Sequence, residues 1–294
     1  MAEQLMPIIS QYKASIDQDL LACIEELDIH EHLKASMQYS IEAGGKRVRP
    51  ILMYLTTLAC EGSIDKVKPV AIALELVHTY SLIHDDLPAM DDDDYRRGQQ
   101  TNHKAFDEAT AILAGDALLT LSFQCITNAV SLSAEEKVFA LSRLSEVSGA
   151  KGMVGGQSLD LHFENTPIDL TQLEDIHHLK TGQLLVYAME MGAYLAGAPL
   201  DTIDALKEAA KAIGLTFQIQ DDILDVTSDT VTLGKPAGSD EANLKSTYPK
   251  LLGVKGAESE KQKQVGISRR MLEKAGVNET LLTQFITYLS NRDR

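Results

Sequence analysis

Apolar positions recur along this chain with a helical period. Ile8, Tyr12, Ile16, Leu20, Ile24 and Leu27 form one stripe at a spacing of roughly 3.6, the mark of an amphipathic helix. Similar stripes predict helices over about 47–60, 67–87, 103–130, 134–148, 168–196, 200–226, 258–275 and 279–290. Start signals accompany several of them. Ser133-x-x-Glu136 and Thr171-x-x-Glu174 have capping-box spacing, and Asn278 is placed to cap the last helix. Period-two alternation is scarce and no strand–turn–strand signal stands out, so an all-α chain is expected. No linker, low-complexity tract or tandem repeat divides it, which predicts a single domain over 1–294. The longest irregular stretch is VTSDTVTLGKPAGSDEANLKSTYP, 226–249, and a loop of that length in a helical protein is usually functional or mobile.

Composition sharpens this picture. Aromatic residues are 5 % and Trp is absent, leaving Leu, Ile, Val, Ala and Met to build the core, which favours helix-on-helix packing. Lys and Arg number 27 against 43 Asp and Glu, a net charge of −16. A chain this acidic is a poor general nucleic-acid binder and is repelled by anionic membrane surfaces. An anionic small molecule would need a local basic pocket or bridging metal ions. Cys23, Cys60 and Cys125 are odd in number and widely spaced, so neither a disulfide framework nor a zinc site is expected. The start MAEQLMPIISQYKASIDQ lacks the basic and apolar blocks of a secretory signal, and no uninterrupted apolar run of about 18 residues marks a membrane span. A cytoplasmic protein without membrane insertion or a nucleic-acid partner is the expectation.

Against that ordinary background, LIHDDLPAMDDDDYRRG (82–98) is unusual. A mostly apolar helix runs into six aspartates between Asp85 and Asp94. Pro88 stops the helix, and carboxylates at a helix C-terminus oppose its macrodipole. A hard divalent cation would offset the repulsion, and Mg²⁺ characteristically takes one or two carboxylates plus substrate phosphates. Asp85 and Asp91 are six apart, about 240° on a straight helix, so the segment between them must turn if both are to reach one ion cluster. The alternative is a solvated acidic loop. A second apolar helix ends in FQIQDDILD (217–225), where Asp221 and Asp225 share a face. Two such motifs suggest opposing walls of one cavity, closed by metal ions.

Basic residues surround the acid. GGKRVRP (44–50) places Lys46, Arg47 and Arg49 beside a Gly pair, Arg96 and Arg97 follow the first acidic motif, Lys180 sits in LKTGQLL, and Lys235 and Lys245 follow the second. Such clusters are commonly surface ion pairs. Here the number of separate basic elements suits a substrate set with more than one diphosphate. His78 lies about 20° off the helical face of Asp85; a core histidine is the alternative, and the alignment favours a binding role.

DDLPAMD and QDDILD resemble the two aspartate-rich motifs of the trans-isoprenyl diphosphate synthases. GGKRVRP, MVGGQSLDL (153–161), KTGQLL and LGKPAGSDEANLKSTYP are similar to the rest of that family's pattern, in order, from about 40 to 250. Pro88 and Ala89 fit the two-residue insertion of its bacterial farnesyl-forming type. The resemblance implies an isoprenoid synthase helical bundle around a central cavity with two Asp-rich walls, usually in a homodimer. It implies condensation of isopentenyl diphosphate with dimethylallyl and geranyl diphosphate to give (2E,6E)-farnesyl diphosphate. Three Mg²⁺ ions are expected, with Asp85 and Asp91 holding two, Asp221 the third, and Asp86 and Asp225 in support. Arg96, Lys180 and Lys235 would grip the allylic diphosphate, with Lys245 nearby on the closing loop, and Lys46, Arg49, His78 and Arg97 that of isopentenyl diphosphate. The resemblance assigns cation stabilisation to Thr181, the Lys180 carbonyl and Gln218, lid closure to 226–249, and product length to Tyr80 with the small Ser81 beside it. Arg292 and Arg294 in the tail NRDR, with Asp293 between them, receive no role. Rival readings are a geranylgeranyl diphosphate synthase, a class I terpene cyclase, a regulatory subunit of a prenyl synthase and an acidic cation-binding scaffold. The cyclase needs one diphosphate site, and the regulatory subunit typically lacks one acidic motif.

Overall fold

The computed structural model describes residues 2–227 and 246–290, with side chains from Leu5 onward. Its described residues are almost wholly helical, as the periodicity requires, and their contacts group into two compact units: 1–54 with 63–141, and 55–62 with 142–294.

The first unit contains α1 (Ala2–Glu25), α2 (Glu31–Glu42), the beginning of α3 (Val48–Ala59), α4 (Ile64–Asp85), the short α5 (Asn102–Ala105), α6 (Glu108–Thr127) and the beginning of α7 (Ala134–Ser148). A two-residue ribbon, β1 (Tyr95–Arg96) against antiparallel β2 (Gln99–Gln100), follows α4. Every side chain from Val70 to Val77 is buried, so α4 is a central helix with no solvent face there. It packs along α6. By length and composition α6 could cross a membrane, although no uninterrupted apolar run announced it. Its Ala111, Ala114, Leu118 and Leu121 are buried in the unit, which is how a core helix of a soluble bundle also reads. Arg47 bridges α1 and α4 from within, with Nε 2.6 Å from Asp17 and Nη1 3.0 Å from Glu75. Removing one partner from a buried pair of this kind costs about 3–5 kcal/mol.

The second unit contains the end of α3, the end of α7, α8 (Met153–His162), α9 (Leu170–His177), a π-helical turn (His178–Gly182), α10 (Gln183–Ala196), α11 (Leu200–Thr227), α12 (Tyr248–Lys274) and α13 (Leu281–Ser290). Helix α11 packs along α10 and α12. Buried Glu190 on α10 draws in Arg143 at 2.9 Å and Lys207 at 3.2 Å, tying α7 and α11 to it.

Several sequence expectations shift at their edges. The predicted 168–196 helix is interrupted by the π turn, and 103–130 is broken at Asp107, whose carboxylate caps α6 through the Thr110 N–H at 2.8 Å. Ser133 and Glu136 form the expected capping box, Ser133 N donating to Glu136 at 2.9 Å and Glu136 N to Ser133 Oγ at 3.2 Å. The box at the start of α9 is Asp169–Gln172, not Thr171–Glu174, because the helix begins at Leu170. Asn278 does not cap α13, which starts three residues later at Leu281. Helices α2 and α8 escaped the pattern: α2 buries only Ser36, Met37 and Ile41, and α8 carries Gly155 and Gly156, poor helix formers.

Candidate active site

In the first unit the chain turns back on itself directly after α4. Met90 N donates to Leu87 O at 2.8 Å, Asp92 N to Leu87 O at 3.2 Å, and Asp91 N to Asp85 O at 2.9 Å. Pro88 and Ala89 stand exposed at the bulge. The turn that the six-residue spacing demanded is therefore present, and Asp91 returns to the end of α4 beside Asp85. Asp86 is buried and committed elsewhere. Arg96 donates to it from Nε at 2.7 and 3.0 Å, with Nη2 2.6 Å from Oδ1. Burial pushes the Asp86 carboxyl above the usual carboxylate range against the pull of Arg96, and Asp93 and Asp91 push it further.

Among the described residues, no group of three or more His, Cys, Asp or Glu side chains is gathered to hold a metal ion. Half-buried Asp85 and Asp91 nevertheless fit a hard cation that takes two carboxylates and completes its shell with water and phosphate oxygens.

A positive focus lies in the same unit. Arg97, in the left-handed region at φ 55°, donates from its guanidinium to Gly44 O. Arg49 Nε is buried without a partner. Burial, with the Arg97 charge adding, pulls the Arg49 guanidinium below its ordinary value although Glu75 opposes this. Burial and then Arg49, Arg97, Arg96 and Arg47 hold His78 well below the usual imidazole value, so it sits neutral among guanidiniums. Arg49 and Arg97 are thus close enough to each other to repel and close enough to His78 to keep it neutral, and Lys46 lies exposed in the same GGKRVRP stretch. A concentration of cationic donors is what a multiply charged anion requires. Arg47, grouped with this cluster on sequence, instead belongs to the structural pair with Asp17 and Glu75.

Gly45 makes that focus possible. It sits at φ +143°, and a Cβ there would lie 2.7–2.9 Å from the Arg97 guanidinium. Gly45→Ala is expected to displace Arg97 and weaken binding of inorganic diphosphate about tenfold in calorimetry, the loss of one charge-assisted contact. Unchanged affinity would separate Arg97 from the anion site.

Tyr80 and Ser81 lie one to two turns before Asp85. Tyr80 is buried, its ring edge-on to His84 at a centroid distance of 5.7 Å. Burial, with Asp85 adding, pushes its phenol up to about 12. Half-buried Ser81 turns its Oγ onto His78 O at 2.9 Å. Gly115 leaves room for His84: a Cβ there would fall 2.2 Å from His84 Nε2.

In the second unit, the π turn carries Lys180 and Thr181. Such turns recur at functional sites because they displace side chains from helical register. Lys180 Nζ is 2.6 Å from Asp160 on α8, a partner within the MVGGQSLDL stretch that had no role on sequence. Lys180, Asp160, His177, Gln218, Asp222 and Thr247 line a cavity of about 120 Å³. Asp221 is half-buried and Asp225 buried, both on α11. Asp222 is structural: its Oδ2 accepts the Tyr248 N–H at 2.9 Å, satisfying a first-turn donor of α12. Gly156 packs against the π turn, where a Cβ would meet Lys180 N at 2.3 Å and Lys180 Cα at 2.7 Å. Both are backbone atoms and cannot swing aside. Gly156→Ala is therefore expected to shift Lys180 and Thr181 and lower turnover about a hundredfold; an active variant would show that the turn tolerates movement.

His177 stacks on Tyr248 at 5.8 Å, and its Nε2 is buried without a partner. Burial depresses it to about 4 from the ordinary 6.5, against Asp160. Its folded value lies below its unfolded one, so the unfolded chain takes up the proton first. Stability should be intact above pH 6.5 and fall by roughly 3 kcal/mol as the pH drops from about 6.5 to about 4. Denaturant melts of the wild type and His177→Phe should diverge across that window; parallel curves would contradict it.

Lys235 and Lys245, most of the predicted lid 226–249, and Arg292 and Arg294 lie outside the described residues.

The chain matches the polyprenyl synthetase family model over residues 30–288. A farnesyl diphosphate synthase of Bacillus subtilis (strain 168) is 44 % identical over 296 aligned positions, covering 100 % of each chain. A crystal structure of a geranyltransferase from Legionella pneumophila is 36 % identical with a TM-score of 0.87, covering 99 % of this chain and 98 % of that one. A geranyltransferase from Helicobacter pylori, complexed with magnesium and isoprenyl diphosphate, is 34 % identical with a TM-score of 0.82, covering 96 % of each.

Proposed function

Because this chain belongs to the polyprenyl synthetase family, we propose that it is a farnesyl diphosphate synthase, joining isopentenyl diphosphate to dimethylallyl and then geranyl diphosphate. The observation that carries the reading is the pairing, within the first unit, of the acidic turn at Asp85 and Asp91 with the cationic group of Arg49, His78, Arg97 and Lys46. One diphosphate can be met through metal at the first and another directly at the second. A terpene cyclase has no use for the second.

In this reading Asp85 and Asp91 would hold two Mg²⁺ ions and Asp221 a third. When bound, these supply Lewis-acid neutralisation of charge on the leaving diphosphate. The Helicobacter relative with magnesium and isoprenyl diphosphate supports the choice of metal. Arg96, oriented by Asp86, would contact the allylic diphosphate, to which the family resemblance also assigns Lys180 and Lys235, with Lys245 nearby. Lys46, Arg49, Arg97 and neutral His78 hold isopentenyl diphosphate. As the allylic C–O bond breaks, its electron pair leaves with the diphosphate. Thr181 Oγ1, the Lys180 carbonyl and Gln218 stabilise the allylic cation. The isopentenyl double bond attacks that cation, forming a C–C bond, and the proton lost from the adduct passes to the released diphosphate. Tyr80 and Ser81 set the chain length.

The family match runs through both units without a break, which supports one synthase domain over 1–294. We place it in the cytoplasm as a homodimer, with no nucleic-acid partner and no membrane insertion. Calorimetry tests the two-site reading. Isopentenyl diphosphate should bind in EDTA, whereas a non-ionisable geranyl diphosphate analogue should bind only with Mg²⁺. Metal dependence of both ligands would contradict it.

A further inference from the structure

The ribbon that carries Arg96 and Arg97 is too short to hold itself. It has two residue pairs, Tyr95 with Gln100 and Arg96 with Gln99, and an isolated hairpin of even twice that size is marginal in water. Nor does tight packing support it. A cavity of about 30 Å³ is lined by Tyr39, Leu82, Asp86, Arg96, Arg97 and Asn102. Hydrogen bonds must therefore position the ribbon.

Arg96 has its own anchor, the paired contact with Asp86 next to the end of α4. The other anchors lead to α2. Ser36 Oγ donates to Asn102 Oδ1 at 2.8 Å, while Asn102 Nδ2 donates to Ser36 O at 2.9 Å and to Ser40 Oγ at 2.8 Å. The amide is 3 % exposed and both its ends are used. Tyr39 Oη, on the same helix, donates to Gln100 O at 2.8 Å. Thr101, between Gln100 and Asn102, closes the ribbon's base by donating from Oγ1 to Asp93 O at 2.7 Å and from N to Asp94 O at 3.0 Å. Helix α2 runs directly into Gly44 and Gly45, the backbone on which the Arg97 guanidinium rests, and then into Lys46 and Arg49. The register between α2 and the ribbon thus sets the distance between Arg97 and the other cationic groups.

We propose that Asn102 is a positioning residue for the isopentenyl diphosphate site, its amide locking the ribbon to α2 so that Arg97 meets the anion held by Lys46 and Arg49. This rests on the reading of Arg97 given above. Asn102 itself touches no substrate. Its loss should act through Arg97 and spare Arg96, which Asp86 holds independently.

The test uses the full-length chain. Asn102→Ala is expected to raise KM for isopentenyl diphosphate about tenfold or more, with KM for geranyl diphosphate within about threefold of wild type. Its affinity for isopentenyl diphosphate in EDTA should fall in parallel. Tyr39→Phe, which removes one hydrogen bond and keeps the ring against Phe106, should move the same parameter in the same direction by a smaller factor. The double variant Ser36→Ala/Asn102→Ala leaves fewer polar groups stranded and should recover thermal stability while KM for isopentenyl diphosphate stays high. Recovery of KM together with stability, an equal rise of both KM values, or no change in either would overturn the inference. If the wild type binds no isopentenyl diphosphate at all, the site reading fails first and this inference with it; if the wild type binds it and Asn102→Ala binds it equally well, the inference alone fails.

Discussion

An Asp85→Asn variant is expected to condense isopentenyl and geranyl diphosphate at about a thousandth of the wild-type kcat or less, because loss of one metal carboxylate removes several kcal/mol of charge stabilisation at the leaving group. Asparagine keeps the size and the helix end while removing the anion. The Asp91–Asp85 backbone bond, which does not involve the side chain, should survive. The effect should fall on kcat more than on KM for isopentenyl diphosphate, whose site is cationic. Asp94→Asn is the comparison. Asp94 belongs to the same run of aspartates but is spent on Lys104 at 2.7 Å on the surface, where such pairs contribute little. It should retain activity within about twofold of wild type. Steady-state kinetics at saturating Mg²⁺ separates the two. An Asp85→Asn enzyme within tenfold of wild type would remove Asp85 from the metal site.

Tyr80→Ala should lengthen the product from fifteen carbons to twenty or more. Tyr80 lies five residues before Asp85, about 7.5 Å along the axis of α4. Its ring is 6 % exposed and braced edge-on by His84, so it is held in one place. Cutting it back to a methyl group leaves a cavity of roughly one aromatic ring and should cost about 3 kcal/mol in stability. The same opening would admit another five-carbon unit. Ser81→Phe should act in the opposite sense and stop growth at ten carbons. Product masses after exhaustive incubation with excess isopentenyl diphosphate decide the matter, and an unchanged fifteen-carbon product from Tyr80→Ala would show that another residue measures the chain.

Much of the site could be read from the sequence because its chemistry is local. The six-residue gap between Asp85 and Asp91, with Pro88 inside it, demanded a turn, and the turn is there. The grouping of Arg49, His78 and Arg97 came from the family resemblance alone, since His78 sits in an apolar helix and drew notice only by its alignment with Asp85. Alternation along a short basic run was not informative enough to separate Arg47 from its neighbours. Only the fold shows that Arg47 is spent on Asp17 and Glu75 while Arg49 is not. Asp160 was quoted within its motif but left without a role, because its partner Lys180 lies twenty residues away across two helices. Asn102 carried no sequence signal: an asparagine after a turn looks like any loop residue until α2 is seen to take both ends of its amide. Helix boundaries erred where capping had two adjacent solutions. Asp169–Gln172 and Thr171–Glu174 have the same spacing, and the earlier one starts the helix.

The most direct test is a single incubation of purified protein with Mg²⁺, isopentenyl diphosphate and geranyl diphosphate, with products resolved by mass spectrometry. The expected result is farnesyl diphosphate as the terminal product, formed with release of one diphosphate per bond and abolished by EDTA. Consumption of geranyl diphosphate to a hydrocarbon without uptake of isopentenyl diphosphate, or a terminal product of twenty carbons, would contradict the assignment: the first denies the second diphosphate site, the second denies Tyr80 as the floor.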